Sequence, residues 1–223
     1  MAQLRDLLRD PSAEAKAKAQ LQFLQNAATS KLKLYRAELE NMFLNPEAVG
    51  KVQMVGNRAM RYYEEYRVDV NEGASGKVSD VVKNFFRGSS DSVKEGFTTL
   101  IQMSLESILG NTSAGEQETL SFYVMIEHNA FVRVDAKYWR YNFSQDGIVG
   151  NHKNAFCYLF CKSIVDHKKI TLDEMVYLIT EGSGGKDVEK FVDEIKAVWK
   201  KVHELDPRTL HANYLAQARI TEF

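Results

Sequence analysis

The feature that most constrains the fold is a change of hydrophobic period within residues 75–143. Apolar residues first recur at helical spacing in two adjoining segments, 77–86 and 91–109, separated by Gly88-Ser89-Ser90. From Thr119 onward apolar and polar residues alternate, which is the period of a half-buried strand. The stretch therefore predicts an amphipathic helix pair over 77–110 that leads directly into antiparallel strands.

Other segments extend this pattern on both sides. Helices are expected over 12–44 and 47–67, and a strand block over 119–165. Within that block the apolar run 154–165 fits a strand or a buried helix, and its aromatic and β-branched content favours a strand. The alternation slips at Tyr138-Trp139, which indicates a bulge or a strand whose buried face changes.

The C-terminal third returns to helical spacing. Thr171 and Glu174 fit a capping box that opens a short helix, and a long amphipathic helix is expected over Val188–Leu205. The sequence thus predicts one α+β domain over 1–223, with helical layers packed on an antiparallel β-sheet and a helix-rich C-terminus at 171–205.

Composition narrows the class of protein. The 223 residues are 44% hydrophobic and include three prolines, which is typical of a globular chain. The formal net charge of −1 provides no field that would attract nucleic acid, so no nucleic-acid partner is expected. The N-terminal residues lack the apolar run of a signal peptide. We expect a cytoplasmic protein as made, with release by a route without a cleaved signal left open.

Catalytic and metal-binding motifs give weak signals. Gly185-Lys186 lacks both the preceding glycine and the following Ser or Thr of a phosphate-binding loop. Cys157 and Cys161 stand four residues apart in apolar surroundings, which favours core packing. A lipid-modified, redox-active or pocket-lining thiol is the alternative, and a metal site is the least favoured. No cofactor and no metal are expected, and the balance leans away from an enzyme.

The helix pair carries the leading functional hypothesis. Its apolar side chains are expected to pack on the domain's own sheet and, in a second state, to contact lipid or another subunit. The residues expected to make that contact are Phe85, Phe86, Phe97, Leu100 and Ile101. Trp139 and Tyr141 are expected to anchor at the membrane interface, where amphipathic aromatic rings are enriched.

The order of these elements resembles that of Cyt-type cytolysins, the bacterial δ-endotoxins to which fungal volvatoxin is related. The similarity covers Lys77–Phe86, Asp91–Leu109, Leu120–Ile126 and Phe131–Phe143, and it is one of pattern without a diagnostic motif. It implies a membrane-active toxin or virulence factor whose helices detach from the sheet at a bilayer. The chain departs from the family at Thr171–Leu205, where that family continues with strands.

Three alternatives stay open at this point. The first is a soluble carrier or sensor for a small apolar ligand or fatty acyl chain, with Met125, Cys157 and Phe160 lining a pocket. The second is an enzyme whose catalytic residues converge only in the fold. The third is self-association through the apolar face of Val188–Leu205.

Overall fold

The computed structural model has four helices and four strands in the part of the chain that it describes. Those residues are 11–45, 47–48, 61–69, 85, 91–127, 130–144, 153–182 and 188–204. In chain order the elements are α1 (Pro11–Leu44), β1 (Arg61–Val68), α2 (Asp91–Gly110), β2 (Gly115–Glu127), β3 (Ala130–Asn142), β4 (Asn154–Ile164), α3 (Leu172–Gly182) and α4 (Val188–Glu204). The class is α+β, as the sequence predicts.

The four strands form one antiparallel sheet in the order β1-β4-β3-β2. The apolar run is therefore a strand, and β4 lies in the interior of the sheet with β1 on one side and β3 on the other. All ten residues from Asn154 to Ser163 are buried, because hydrophobic cores lie on both faces of this strand. Burial on both faces explains why the run shows no alternation.

Helix α1 covers one face of the sheet. Its apolar side chains contact residues of β3 and β4 that point to the same side and form one core. Leu24, Ala28, Leu32, Tyr35, Leu39 and Phe43 from the helix meet Trp139, Ala155, Cys157, Leu159 and Cys161 from the strands. The helix contacts β1, β4 and β3. We call this side of the sheet the α1 face.

Helix α2 covers the opposite face over β2 and β3. Ile101, Leu105 and Ile108 pack there in a second core with Tyr138 and Phe160. Helix α3 packs against β2 and α4, and Met175, Ile179, Ile195 and Val198 belong to the same core. Two hydrophobic layers thus lie on the two sides of one sheet.

Two expectations about the N-terminal half need correction. Residues 47–67 are not one helix, because Arg61–Val68 form an edge strand paired with β4. Tyr62, Tyr63 and Tyr66 favour extended backbone. Pairing with the interior strand β4 supplies the hydrogen-bond partners that this backbone needs. The polar loop expected over 112–118 is also shorter, since β2 begins at Gly115.

Two further expectations concern β3 and the C-terminus. The register of β3 against both neighbours continues through Tyr138 and Trp139 without a bulge, so the slip in period reflects a strand buried on both faces. A specially helix-rich C-terminus is not supported. The longest described helix, α1 with 34 residues, lies near the N-terminus, and the helices α3 and α4 have 11 and 17 residues.

Candidate functional site

An open groove lies on the α1 face between the C-terminal half of α1 and strands β2 and β3. It encloses about 480 Å³. Its helix side consists of Glu38, Leu39, Asn41, Met42, Asn45 and Ala48, and its sheet side consists of Leu120, Ser121, Phe122, Arg133, Asp135 and Lys137. Small-molecule sites have volumes of about 300–1,000 Å³.

The groove exists because α1 follows β1 and β4 and leaves β2 partly uncovered. Near its middle the helix reaches β2, where Lys31 Nζ lies 2.9 Å from carboxylate oxygens of both Glu116 and Glu118. Further along, Arg36 instead pairs with Glu64 on β1, at the other edge of the sheet. Beyond Glu118, α1 therefore leaves Leu120 and Phe122 of β2 partly exposed.

Two apolar side chains on β2 are exposed at this opening. Leu120 is 55% exposed and Phe122 is 42% exposed, although both follow the alternation of a core-facing strand. Full burial of such a side chain contributes about 1.5–3 kcal/mol, and each of these two forgoes part of it. Leu39 and Met42 contribute the apolar surface on the helix side. The groove thus has an apolar wall that its own chain leaves in contact with solvent.

Charged side chains of β3 form the floor of the groove. Arg133 Nη2 and Asp135 Oδ1 are 2.7 Å apart, and both side chains are buried. The guanidinium carbon of Arg133 also lies 4.1 Å from the centre of the Phe122 ring, which is the geometry of a cation–π contact. Lys137 Nζ lies 2.7 Å from Glu38 Oε2 and 5.0 Å from the Tyr35 ring centre. Burial is the largest cause that raises the pKa of Asp135, and it outweighs the opposing effect of Arg133.

Sequence reasoning did not single out this site. The signal that could have identified it is the Arg133-x-Asp135-x-Lys137 alternation, which places three charges on one face of a strand. The alternation by itself predicts only a charged face on β3. In the structure the charges on this face form ion pairs. Together with the apolar Leu120 and Phe122 on the neighbouring strand, they form an amphipathic groove.

The residues predicted for membrane contact lie on both faces of the sheet. Phe85 and Ile101 are fully buried in the α2-side core, with the Phe85 ring 5.6 Å from the Phe160 ring, and Leu100 is partly buried. Trp139 and Tyr141 lie under α1 on the other face. Phe86 and the side chain of Phe97 are outside the described residues.

Trp139 is held by a polar contact as well as by burial. Its indole Nε1 donates a 2.7 Å hydrogen bond to Glu116 Oε1, and its ring stacks on that of Tyr141. This oxygen of Glu116 also accepts a hydrogen bond from Lys31. Any anchoring role at a bilayer would therefore require α1 to move off this face.

Both cysteines are buried under α1. Cys157 and Cys161 are fully inaccessible, and burial is the largest cause that raises the pKa of each thiol to about 12. Residues four apart on a strand are about 13 Å apart, too far for a disulfide. Lipid attachment or pocket lining would require α1 to open. In the described ranges no three His, Cys, Asp or Glu side chains are grouped so that they could hold a metal ion.

Comparisons with known proteins give no assignment. The chain matches no protein-family model and no curated protein. Among the described helices, none is both long and apolar enough to cross a membrane.

Proposed function

We propose that the protein is a non-enzymatic lipid-interacting protein that holds an amphipathic ligand, a fatty acyl chain with a polar headgroup, in the groove beside α1. The observation that carries the proposal is the apolar wall of Leu39, Met42, Leu120 and Phe122 above a floor of charged side chains. An acyl chain would bury Leu120 and Phe122, and the floor would face the headgroup.

Three features of the described site support this ligand. The groove is open, its volume lies within the range of small-molecule sites, and its apolar side chains are already in place. The Met125, Cys157 and Phe160 side chains expected to line a carrier pocket instead lie in closed cores on the two faces of the sheet. The carrier hypothesis thus moves from the centre of the fold to its surface.

Titration of a fluorescent fatty acid tests this function. We expect saturable binding to the wild type, together with a co-purified lipid in native mass spectrometry. Phe122→Ala should weaken binding about tenfold, because it removes one wall of the groove. Tyr177→Ala is the matched control, since Tyr177 is a 62% exposed aromatic residue on α3 that does not line the groove. Equal affinities of the two variants, or no binding by the wild type, would reject the proposal.

A second candidate function is membrane activity through release of α2, in the manner implied by the resemblance to Cyt-type toxins. The observation that favours it is the amphipathic packing of α2, whose Ile101, Leu105 and Ile108 form a continuous buried stripe against the sheet. Exposing these side chains to water costs about 1.5–3 kcal/mol each. Because that sum rivals the total stability of a domain, release would require a bilayer or another subunit to receive the helix.

Leakage of dye from liposomes tests this second function. Release of α2 predicts leakage and co-flotation with vesicles, and retention of α2 predicts neither, whatever the lipid composition and pH. Self-association at the membrane belongs to this proposal, although Ile195 and Val198 on the apolar face of α4 are buried in the chain's own core. Absence of leakage would remove this candidate and leave ligand binding in the groove untouched.

A further inference from the structure

The floor of the groove is electrically neutral. It carries two positive and two negative side chains, arranged as the ion pairs Arg133–Asp135 and Lys137–Glu38, each with an N···O distance of 2.7 Å. Arg133, Asp135 and Lys137 alternate along one face of β3, and Glu38 reaches across from α1. Each charge therefore already has an opposite charge within contact distance.

The two pairs differ in their exposure to solvent. The Arg133 and Asp135 side chains are only 5% and 8% exposed, whereas Glu38 is 46% exposed and Lys137 is 13% exposed. Burial already disfavours the ionised form of Asp135, as its raised pKa indicates. A further negative charge placed beside it would add to that penalty. A further positive charge would be repelled by Arg133 and Lys137.

A ligand with a single net charge therefore has no free counter-ion on this floor. To form an ion pair it must compete with a member of the Arg133–Asp135 or Lys137–Glu38 pair, and weakening the buried Arg133–Asp135 pair is strongly destabilising. A headgroup with both signs, or with none, avoids this exchange. Its dipoles can align with the existing pairs and leave each of them intact.

We propose that the groove selects amphipaths whose headgroup carries no net charge, a zwitterionic phosphocholine being the type, and that Asp135 and Lys137 set this specificity by balancing the charges of Arg133 and Glu38. This inference rests on the proposed function of the groove. It adds the class of headgroup and names the residues that discriminate it. Arg133 is held against Phe122 as well as Asp135, so it remains beside the acyl chain in either charge state of the floor.

Calorimetric titration with three lipids tests the inference. The probes are lauroyl lysophosphatidylcholine, lauroyl lysophosphatidylglycerol and dodecyltrimethylammonium, each below its critical micelle concentration. The wild type should bind the zwitterion about three- to tenfold more tightly than either charged probe. Asp135→Asn gives the floor a net positive charge and should shift the preference to the anionic probe. Lys137→Gln should shift it to the cationic probe.

Matched controls separate the local charge from the net charge of the protein. Asp173→Asn and Lys200→Gln make the same changes in total charge at exposed positions on α3 and α4, outside the groove. They should retain the wild-type preference. If Asp135→Asn does not fold, Lys137→Gln decides the test alone, because its pair with Glu38 is partly solvated.

The outcomes separate this inference from the function beneath it. Equal binding of the three probes by the wild type, or the same shift in the control variants, would overturn the headgroup selectivity while the groove remained a lipid site. Absence of binding by all three probes would overturn both proposals. Opposite shifts in Asp135→Asn and Lys137→Gln, with unchanged controls, would establish the selectivity.

Discussion

The hydroxyl of Tyr35 in α1 donates a 3.1 Å hydrogen bond to the backbone carbonyl oxygen of Tyr138 in β3. Both side chains are fully buried, on opposite faces of the sheet. A carbonyl oxygen has two lone pairs, so it can accept this bond without losing its place in the sheet ladder. The contact ties α1 to β3 on the α1 face of the sheet, beside Leu120 and Phe122 of β2.

Removal of this hydroxyl tests its contribution. Tyr35→Phe should lower the free energy of unfolding by about 0.5–1.5 kcal/mol, because the packing is retained and one hydrogen bond is lost. Tyr35→Ala should cost about 3–5 kcal/mol, because it also leaves a cavity between α1 and β4. Urea denaturation followed by circular dichroism measures both. Wild-type stability in Tyr35→Phe would contradict a separate role for the hydroxyl.

The buried pair of Lys162 and Glu127 should respond in a strongly non-additive way. Lys162 Nζ lies 2.7 Å from Glu127 Oε2, both side chains are at most 10% exposed, and the Phe85 ring centre is 4.8 Å from the ammonium. Lys162→Met or Glu127→Leu alone should cost about 3–5 kcal/mol, since each leaves an uncompensated buried charge. The double variant should be more stable than either single one. A double variant whose loss equals the sum of the two would contradict this account.

The thiols of Cys157 and Cys161 should be inert in the folded protein. With a pKa of about 12, each is thiolate in about one molecule in ten thousand at about pH 8, against about a quarter in the unfolded chain. Ellman's reagent should therefore label neither cysteine until denaturant is added, and both afterwards. Rapid labelling of the native protein would show that α1 opens readily, and it would favour the modified thiol that the sequence leaves open.

Two carboxylates, those of Glu116 and Glu174, make the free energy of unfolding depend on pH in the acid range. Hydrogen bonds from Lys31 and Trp139 lower the pKa of Glu116, and the backbone amide of Thr171 lowers that of Glu174. Each pKa is lower in the folded than in the unfolded protein, so the ionised carboxylate stabilises the fold. This stabilisation is complete above about pH 4.3 and is lost as the pH falls through the folded-state pKa. The melting temperature of Glu116→Gln should thus fall less steeply than that of the wild type below about pH 4.3. Superimposable profiles would contradict the shift.

Hydrophobic period predicts most of the elements, because a helix or strand that covers one core face imposes its spacing on the sequence. The helix over 12–44, the strands on each side of the β2–β3 turn and the capping box at Thr171 are confirmed, the last by a 2.7 Å bond from the Thr171 amide to Glu174. The helix expected over 47–67 is wrong for Arg61–Val68, because the helical spacing of Val52, Val55, Met60 and Tyr63 extends into residues that form β1. Pairing with β4, a tertiary effect, decides in favour of the strand.

The groove could not be predicted in the same way. The alternation at Leu120 and Phe122 identifies an apolar face of β2, but it does not say whether a helix covers that face. Coverage depends on the line that α1 takes across the sheet, which Lys31, Arg36 and Tyr35 set through partners 28 to 103 residues away. Sequence period contains no information on such distant contacts. The charged alternation in β3 is visible in the sequence, but it does not show that Leu120 and Phe122 lie beside it in a groove.

Arg140 should control the release of α2 from the sheet. Its buried guanidinium donates hydrogen bonds to the carbonyl oxygens of Ile108 and Leu109, which lack partners within the last turn of the helix. Arg140→Met should lower stability by about 2–4 kcal/mol and accelerate deuterium exchange in α2, because those carbonyls lose a charged donor. Arg67→Met, at a partly exposed ion pair on β1, is the control and should leave exchange in α2 unchanged. If α2 acts at membranes, liposome leakage should rise with Arg140→Met. Faster exchange without leakage would count against that second function.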